Sequence, residues 1–302
     1  ALSSSATRSP SASGASGVGP FTRFEHARYR TQVASEAGEP AAAARTARSS
    51  IADRFALGAA REAIAQAGLP ARLDELDCGI YFGSSTGGMY ESESYFAELL
   101  GEPSRAARIG RLSAQQTCSP GESVGRAHGV QGPVQTVASA CASATLAMGN
   151  ALSALRAGEV DVALAGGSDS LCRLTYAGFN SLRAVDPRAC RPFRAEREGM
   201  SIGEGAAVLV LETAASARSR GARVLGWLLG AGASCDAHHM TAPDPQGAGI
   251  ARAVEAALAD AGLEAAAIDF VNVHGTGTPH NDAAEASMLR AIFGERLPRL
   301  PL

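Results

Sequence analysis

Lysine does not occur in the 302 residues; all 27 basic positions are arginine. Within this stretch that rules out a Schiff-base lysine, a pyridoxal-phosphate lysine and the lysine of a phosphate-binding loop. A basic field is missing too: the formal net charge is -3, which argues against nucleic acid as the main ligand. None of the six cysteines, at 78, 118, 141, 172, 190 and 235, forms a C-x-x-C pair. Their spacing therefore suggests neither a zinc site nor a redox pair. With 46% hydrophobic and 19% charged residues, the chain is expected to bury a large core without disulfides. It reads as a reduced, cytoplasmic protein. Residues 127–155 hold no Asp, Glu, Lys or Arg. Gly132-Pro133 splits this run, and Gln131, Gln135, Ser139 and Asn150 interrupt it. A buried strand followed by a buried helix fits that pattern better than a membrane span.

The first residues, ALSSSATRSPSASGASG, are rich in Ser, Ala and Gly, and no acidic residue precedes Glu25. This composition suits a transit peptide or a low-complexity start over residues 1–19. Beyond it, helices alternate with short apolar strands. Residues 52–67 predict a helix ended by Gly68 and Pro70, and residues 250–261 a helix ended by Gly262. Strands are predicted at Cys78–Phe82, Val134–Ala138, Val160–Ala165 (stopping at Gly166-Gly167), Val208–Leu211 and Phe270–Val273. A further helix is expected from about Cys141 to Leu155. The alternation indicates α/β layers around a buried sheet.

Two segments resemble each other. AREAIAQAGL (60–69) matches VEAALADAGL (254–263), and DCGIYFGSST (77–86) matches DFVNVHGTGT (269–278). The shared order of helix, Asp, strand and Gly loop, at offsets of 194 and 192 residues, indicates an internal duplication. The second counterpart of the Cys141 region would fall beyond Leu302, so the C-terminal half is expected to be incomplete here.

Cys141 lies in VQTVASACASATLAMGN, where a strand runs into a helix. Unpaired N–H groups at a helix start favour a thiolate, lowering a cysteine pKa from ~8.5 towards roughly 3.5–7.5. Cys141 reads as a nucleophile or as a small buried residue. In the former case, a reactive group beside a central helix needs a tunnel for a long, thin substrate. His274, in VNVHGTGTPHND, ends a predicted strand beside Gly and Thr. It reads as a site residue or as a hydrogen-bonded structural histidine. Gly83-Ser84-Ser85-Thr86-Gly87 is a literal G-x-S-x-G, the nucleophile-elbow pattern of serine hydrolases, with Ser85 and His274 as partners. DAHH (236–239) with His274 or His280 is a weak metal pattern.

ASACASA around Cys141, AGGSDS (165–170), CRPF (190–193), GEGAAVLVLE (203–212), DAHHMTAP (236–243) and HGTGTPHND (274–282) follow one another in the order of the β-ketoacyl-acyl-carrier-protein synthase motifs. PFTRF (20–24) and GSSTGG (83–88) also fit, so the chain resembles that family over nearly all of residues 18–302. The resemblance implies a thiolase-like five-layer αβαβα sandwich with internal duplication. The nucleophile half would span 20–212, and 213–302 would start the C-terminal half. It implies a decarboxylative Claisen condensation in fatty acid or polyketide synthesis. Cys141 would take an acyl chain from a carrier-protein thioester, and His274 with a second histidine would decarboxylate the malonyl partner. The Cys141 N–H would form half of an oxyanion hole. Thr276, Thr278 and Thr241 would contact the phosphopantetheine arm, which arrives on the acyl carrier protein; no metal or bound cofactor is implied. A homodimer, or a heterodimer with a related chain, is expected. Carrier docking would draw on Arg105, Arg108, Arg111 and Arg126. The family's K-S-x-x-G-H and G-F-G-G-T-N motifs do not occur in these residues, so the 302-residue chain is expected to condense poorly. A non-catalytic, chain-length-factor type of partner is the alternative.

Overall fold

The computed structural model describes residues 16–38, 48–101 and 109–302. Most of the low-complexity start lies outside these residues, as do Arg105 and Arg108.

Helix α1 (Ile51–Gln66) opens with a capping box. Ser50 Oγ accepts the Asp53 N–H at 3.0 Å and Asp53 accepts the Ser50 N–H at 2.8 Å. The other elements follow as β1 (Cys78–Gly83), α2 (Met89–Gly101), α3 (Ser119–His128), β2 (Val134–Val137), α4 (Ser143–Ala157), β3 (Val162–Asp169), α5 (Arg173–Ser181), β4 (Gly205–Glu212), α6 (Ala214–Ser219), α7 (Ala248–Ala261) and α8 (Pro279–Phe293). The strands form one sheet in the order β2-β1-β3-β4. β1 pairs parallel with β2 and β3, and β4 runs antiparallel to β3.

Alternation along the strands assigns each face of this sheet. Cys78, Ile80, Phe82, Val162 and Leu164 pack against Ala56, Ala60 and Ile64 of α1 and Val124 of α3. Tyr81, Ala163 and Ala165 face the other way, onto Ala147, Ala151, Ala154 and Leu155 of α4. A strand buried on both faces needs a continuous apolar run, which is why β1 and β3 show no polar alternation. The alanines let α4 approach closely. At its first turn even alanine is too large in the strands: a Cβ on Gly83 would collide with Ala144 N and the Ser143 carbonyl carbon, and one on Gly167 would come within 2.9 Å of Ala144 Cβ.

Three expectations are corrected. β3 does not stop at Gly166-Gly167 but continues to Asp169. The glycines permit this, because a side chain at Gly166 would strike the Ala207 carbonyl of β4. Phe270–Val273 is extended but joins no ladder among the described residues. Val271 and Val273 pack with Ile250, Val254, Met288 and Leu289 of α7 and α8, while Phe270 is exposed. The alternation predicted the side-chain pattern, but the Val271 N–H to Pro301 carbonyl hydrogen bond at 3.1 Å does not by itself make a ladder. Finally, α4 is buried on one face only, and Cys141 at its approach is exposed among the described residues.

The two matched helix ends carry the same cap, one that also closes α3, α4 and α6. Leu69 N–H donates to the Ile64 carbonyl at 3.1 Å and Leu263 N–H to the Leu258 carbonyl at 2.9 Å. Between them Gly68 and Gly262 take left-handed φ values of 67° and 65°. Both helices therefore end in the same cap at the predicted offset.

Gly83→Ala is expected to lower the stability of the protein by about 3 kcal/mol, since backbone of α4 would have to move. A urea melt with an unchanged midpoint would contradict this reading of the glycine contact.

Candidate active site: the Cys141–His274 pair

After β2 the chain turns within a few residues. Ser139 takes φ -137° and ψ 53°, Ala140 takes φ 45°, and a 3-10 turn over Ala140–Ala142 leads into α4. A left-handed alanine costs ~1–3 kcal/mol and persists only where its surroundings enforce it. Here Ser143 Oγ donates to the Ala140 carbonyl at 2.7 Å and accepts the Ser139 N–H at 2.8 Å. The turn presents the Cys141 side chain on the exposed surface.

His274 ends the extended segment. By alternation it shares a face with Phe270 and Asn272, opposite the packed Val271 and Val273. Its imidazole and the Cys141 thiol influence each other's protonation. His274 is the main reason the thiol is held below the ordinary cysteine value; partial burial and the Asp169 charge oppose it, and the Cys141 N–H assists. The imidazole is raised in turn, first by Cys141 and then by the charges of Glu285 and Asp282, against burial. Both shifts favour a thiolate beside an imidazolium, the activated state of a cysteine nucleophile. The contrast with other thiols is direct: burial pushes Cys78 up to about 11 and raises Cys172 and Cys118.

Two buried carboxylates fix the loop that carries His274. Glu285 accepts the N–H groups of His274 and Gly275, each at 2.7 Å, and the Asn281 amide at 3.0 Å. Asp282 accepts the N–H groups of Gly277 at 3.1 Å and Phe193 at 2.7 Å, and lies 3.4 Å from Arg197 Nε. The Thr276 and Thr278 hydroxyls share a hydrogen bond of 2.8 Å in that loop. Thr241 lies on an exposed loop, its N–H directed to His239 Nδ1 at 3.1 Å.

The G-x-S-x-G loop takes a different part from the one its pattern suggests. Ser85 Oγ donates to the Ala140 carbonyl at 3.1 Å, so its hydroxyl serves the Cys141 turn. Asp169 anchors the loop, accepting the Ser85 N–H at 2.9 Å and the Thr86 N–H at 2.7 Å. Among the described residues no three His, Cys, Asp or Glu side chains gather as metal ligands, so DAHH does not combine with His274 or His280. Asp169 and Ser143 escaped the reading of the sequence as site residues. Their signal was a polar side chain at the end of a strand or the start of a helix, beside a Gly-rich loop.

Residues 22–217 match the β-ketoacyl synthase N-terminal domain model and residues 225–302 the β-ketoacyl synthase C-terminal domain model. The chain belongs to the β-ketoacyl synthase family. It is 35% identical over 257 residues to 3-oxoacyl-[acyl-carrier-protein] synthase 2 of Staphylococcus aureus, covering 82% of this chain and 63% of the relative. It is 39% identical over 243 residues to nodulation protein E of Rhizobium meliloti, covering 80% and 60%. The solved ishigamide ketosynthase/chain length factor superposes with a TM-score of 0.87 at 35% identity, over 93% of this chain and 72% of that one. The thiolase-like ketosynthase fold is thereby shown. The chain spans about three fifths of the length of the curated relatives it matches.

Iodoacetamide is expected to alkylate Cys141 with a pH midpoint below the ~8.5 of an ordinary thiol, while Cys78 stays unmodified. His274→Ala should move the midpoint upward, because the imidazolium that favours the thiolate is gone. Peptide mapping across a pH series checks both, and an unmoved midpoint would contradict the pairing.

Proposed function

We propose that the protein is a 3-oxoacyl-carrier-protein synthase with Cys141 as its acyl-accepting nucleophile, and the observation that carries this is the exposed Cys141 on the turn into α4, its thiol held below the ordinary value chiefly by His274. The Cys141 thiolate attacks the carbonyl of an acyl thioester, and the carrier thiol leaves with a proton. A malonyl thioester then loses carbon dioxide, its carbanion attacks the acyl-Cys141 carbonyl, and the thiolate is released as the β-ketoacyl carrier forms. His274 holds a proton at its ring nitrogen in the loading step and polarises the malonyl carbonyl in the second. The Cys141 N–H donates to the oxyanion of each tetrahedral intermediate.

The hydroxyls of Thr276 and Thr278, adjacent to His274, are suited to the amides of a phosphopantetheine arm, with Thr241 a further contact. The arm arrives on an acyl carrier protein, and no resident cofactor is invoked. Arg111 and Arg126 already pair with Glu98 and Glu122, so a docking acidic carrier would have to share them. Residues 20–212 would form the nucleophile half and 213–302 the start of the histidine half. β2 ends the sheet with Val134 exposed, an open edge that fits dimerisation with a like or related chain. No helix among the described residues is long and apolar enough to cross a membrane, and the reading places synthesis of fatty acid or polyketide chains in the cytoplasm. The chain-length-factor reading is disfavoured, because a non-catalytic partner has no use for a cysteine paired with histidine.

Incubation of the natural chain with an acyl carrier protein, followed by mass spectrometry, should show one acyl group on the wild type and none on Cys141→Ala. An unmodified, folded wild type would remove the proposal.

A further inference from the structure

The carbonyl of Ala140 is held from several sides. It accepts the Ser143 N–H, the Ser143 hydroxyl at 2.7 Å and the Ser85 hydroxyl at 3.1 Å. The two hydroxyls lie 3.3 Å from each other, and Ser143 Oγ also takes the Ser139 N–H. A carbonyl oxygen has two lone pairs, so three donors on one oxygen are more than satisfaction requires. They converge on the residue whose backbone is strained, immediately before Cys141. In a planar trans peptide the carbonyl and the next N–H point in opposite directions. Fixing the Ala140 oxygen therefore fixes the direction of the Cys141 N–H.

We propose that Ser85 and Ser143 are positioning residues, a two-hydroxyl clamp that sets the Ala140–Cys141 peptide so that the Cys141 N–H faces the acyl group on the thiol. The clamp rests on the acyl-transfer reading given above for its consequence, but not for its geometry. Its two arms come from separate parts of the sequence. Ser143 is buried at the start of α4, while Ser85 is exposed on the loop after β1. Asp169 at the end of β3 holds that loop through the Ser85 and Thr86 N–H groups and the Ser84 hydroxyl, at 2.7–3.0 Å. The literal G-x-S-x-G is therefore the brace of a cysteine elbow. An exposed hydroxyl adds little to folding stability, so the Ser85 contact is better explained by what it orients than by what it stabilises.

The test uses the natural chain with Ser85→Ala, Ser143→Ala and the hydroxyl-retaining Ser143→Thr. Two readouts are taken: the rate and half-saturation of Cys141 acylation by an acyl carrier protein, and iodoacetamide alkylation of Cys141 against pH. The groups facing the thiol, His274 and Asp169, are untouched by these changes. Displacing an oxyanion donor without deleting it should slow maximal acylation by roughly 10- to 100-fold. Half-saturation for the carrier should stay within about twofold, and the alkylation midpoint should rise. Ser143→Thr should recover most of the rate. Acylation at the wild-type rate in folded Ser143→Ala and Ser85→Ala would overturn the clamp, as would a loss confined to half-saturation. If Ser143→Ala fails to fold, Ser85→Ala alone decides. If even the wild type accepts no acyl group, the synthase reading falls. The clamp is then judged on alkylation, where variants indistinguishable from wild type overturn it.

Discussion

The first turn of α4 lies on backbone, with no side chain between it and the sheet. Gly83 at the end of β1 and Gly167 in β3 leave the space into which Ser143 and Ala144 settle. That contact sets where the helix begins. It forces the chain leaving β2 to reverse within a few residues, and the left-handed Ala140 is the result. A larger residue at either glycine would lift the helix and relax the turn that presents the cysteine. The alanines along the sheet-facing side of α4 extend the same close approach over the rest of the helix.

The chemistry follows from this placement. A cysteine within the core would resemble Cys78, whose thiol burial pushes up to about 11. The turn instead delivers Cys141 to the surface at the approach to a helix, within reach of His274. The histidine comes from the other part of the molecule, on an extended segment whose alternate side chains pack onto α7 and α8. Glu285 and Asp282 hold its loop through backbone N–H groups, and their charges also favour the imidazolium. The same carboxylates thus fix the loop's position and add to the charge that favours a protonated ring.

Much of this was legible in the sequence. The apolar runs at β1 and β3 and the small-residue strand–helix junction at Cys141 follow from local pattern. The two A-x-A-G-L helix ends with equivalent caps do as well. The family motifs single out Cys141 and His274 as the candidate pair. What pattern could not supply was tertiary. Ser85 carries a hydrolase motif, yet its hydroxyl is directed by the neighbouring Ala140 carbonyl. β3 continues through two glycines that look like a stop, because β4 passes too close for side chains. Phe270–Val273 has the alternation of a strand, but no ladder partner among the described residues. The uncharged run of α4 suggested complete burial, whereas only one face meets the sheet.

The central claim is that the Cys141–His274 pair supports carbon–carbon bond formation between thioesters. The most direct measurement supplies the natural chain with an acyl carrier protein and a malonyl carrier protein labelled in the carboxylate to be lost. The account predicts release of labelled carbon dioxide together with a carrier-bound β-ketoacyl chain lengthened by two carbons, both abolished in Cys141→Ala. A Cys141→Ala protein that still forms the lengthened product, or a folded wild type that forms none, would contradict it.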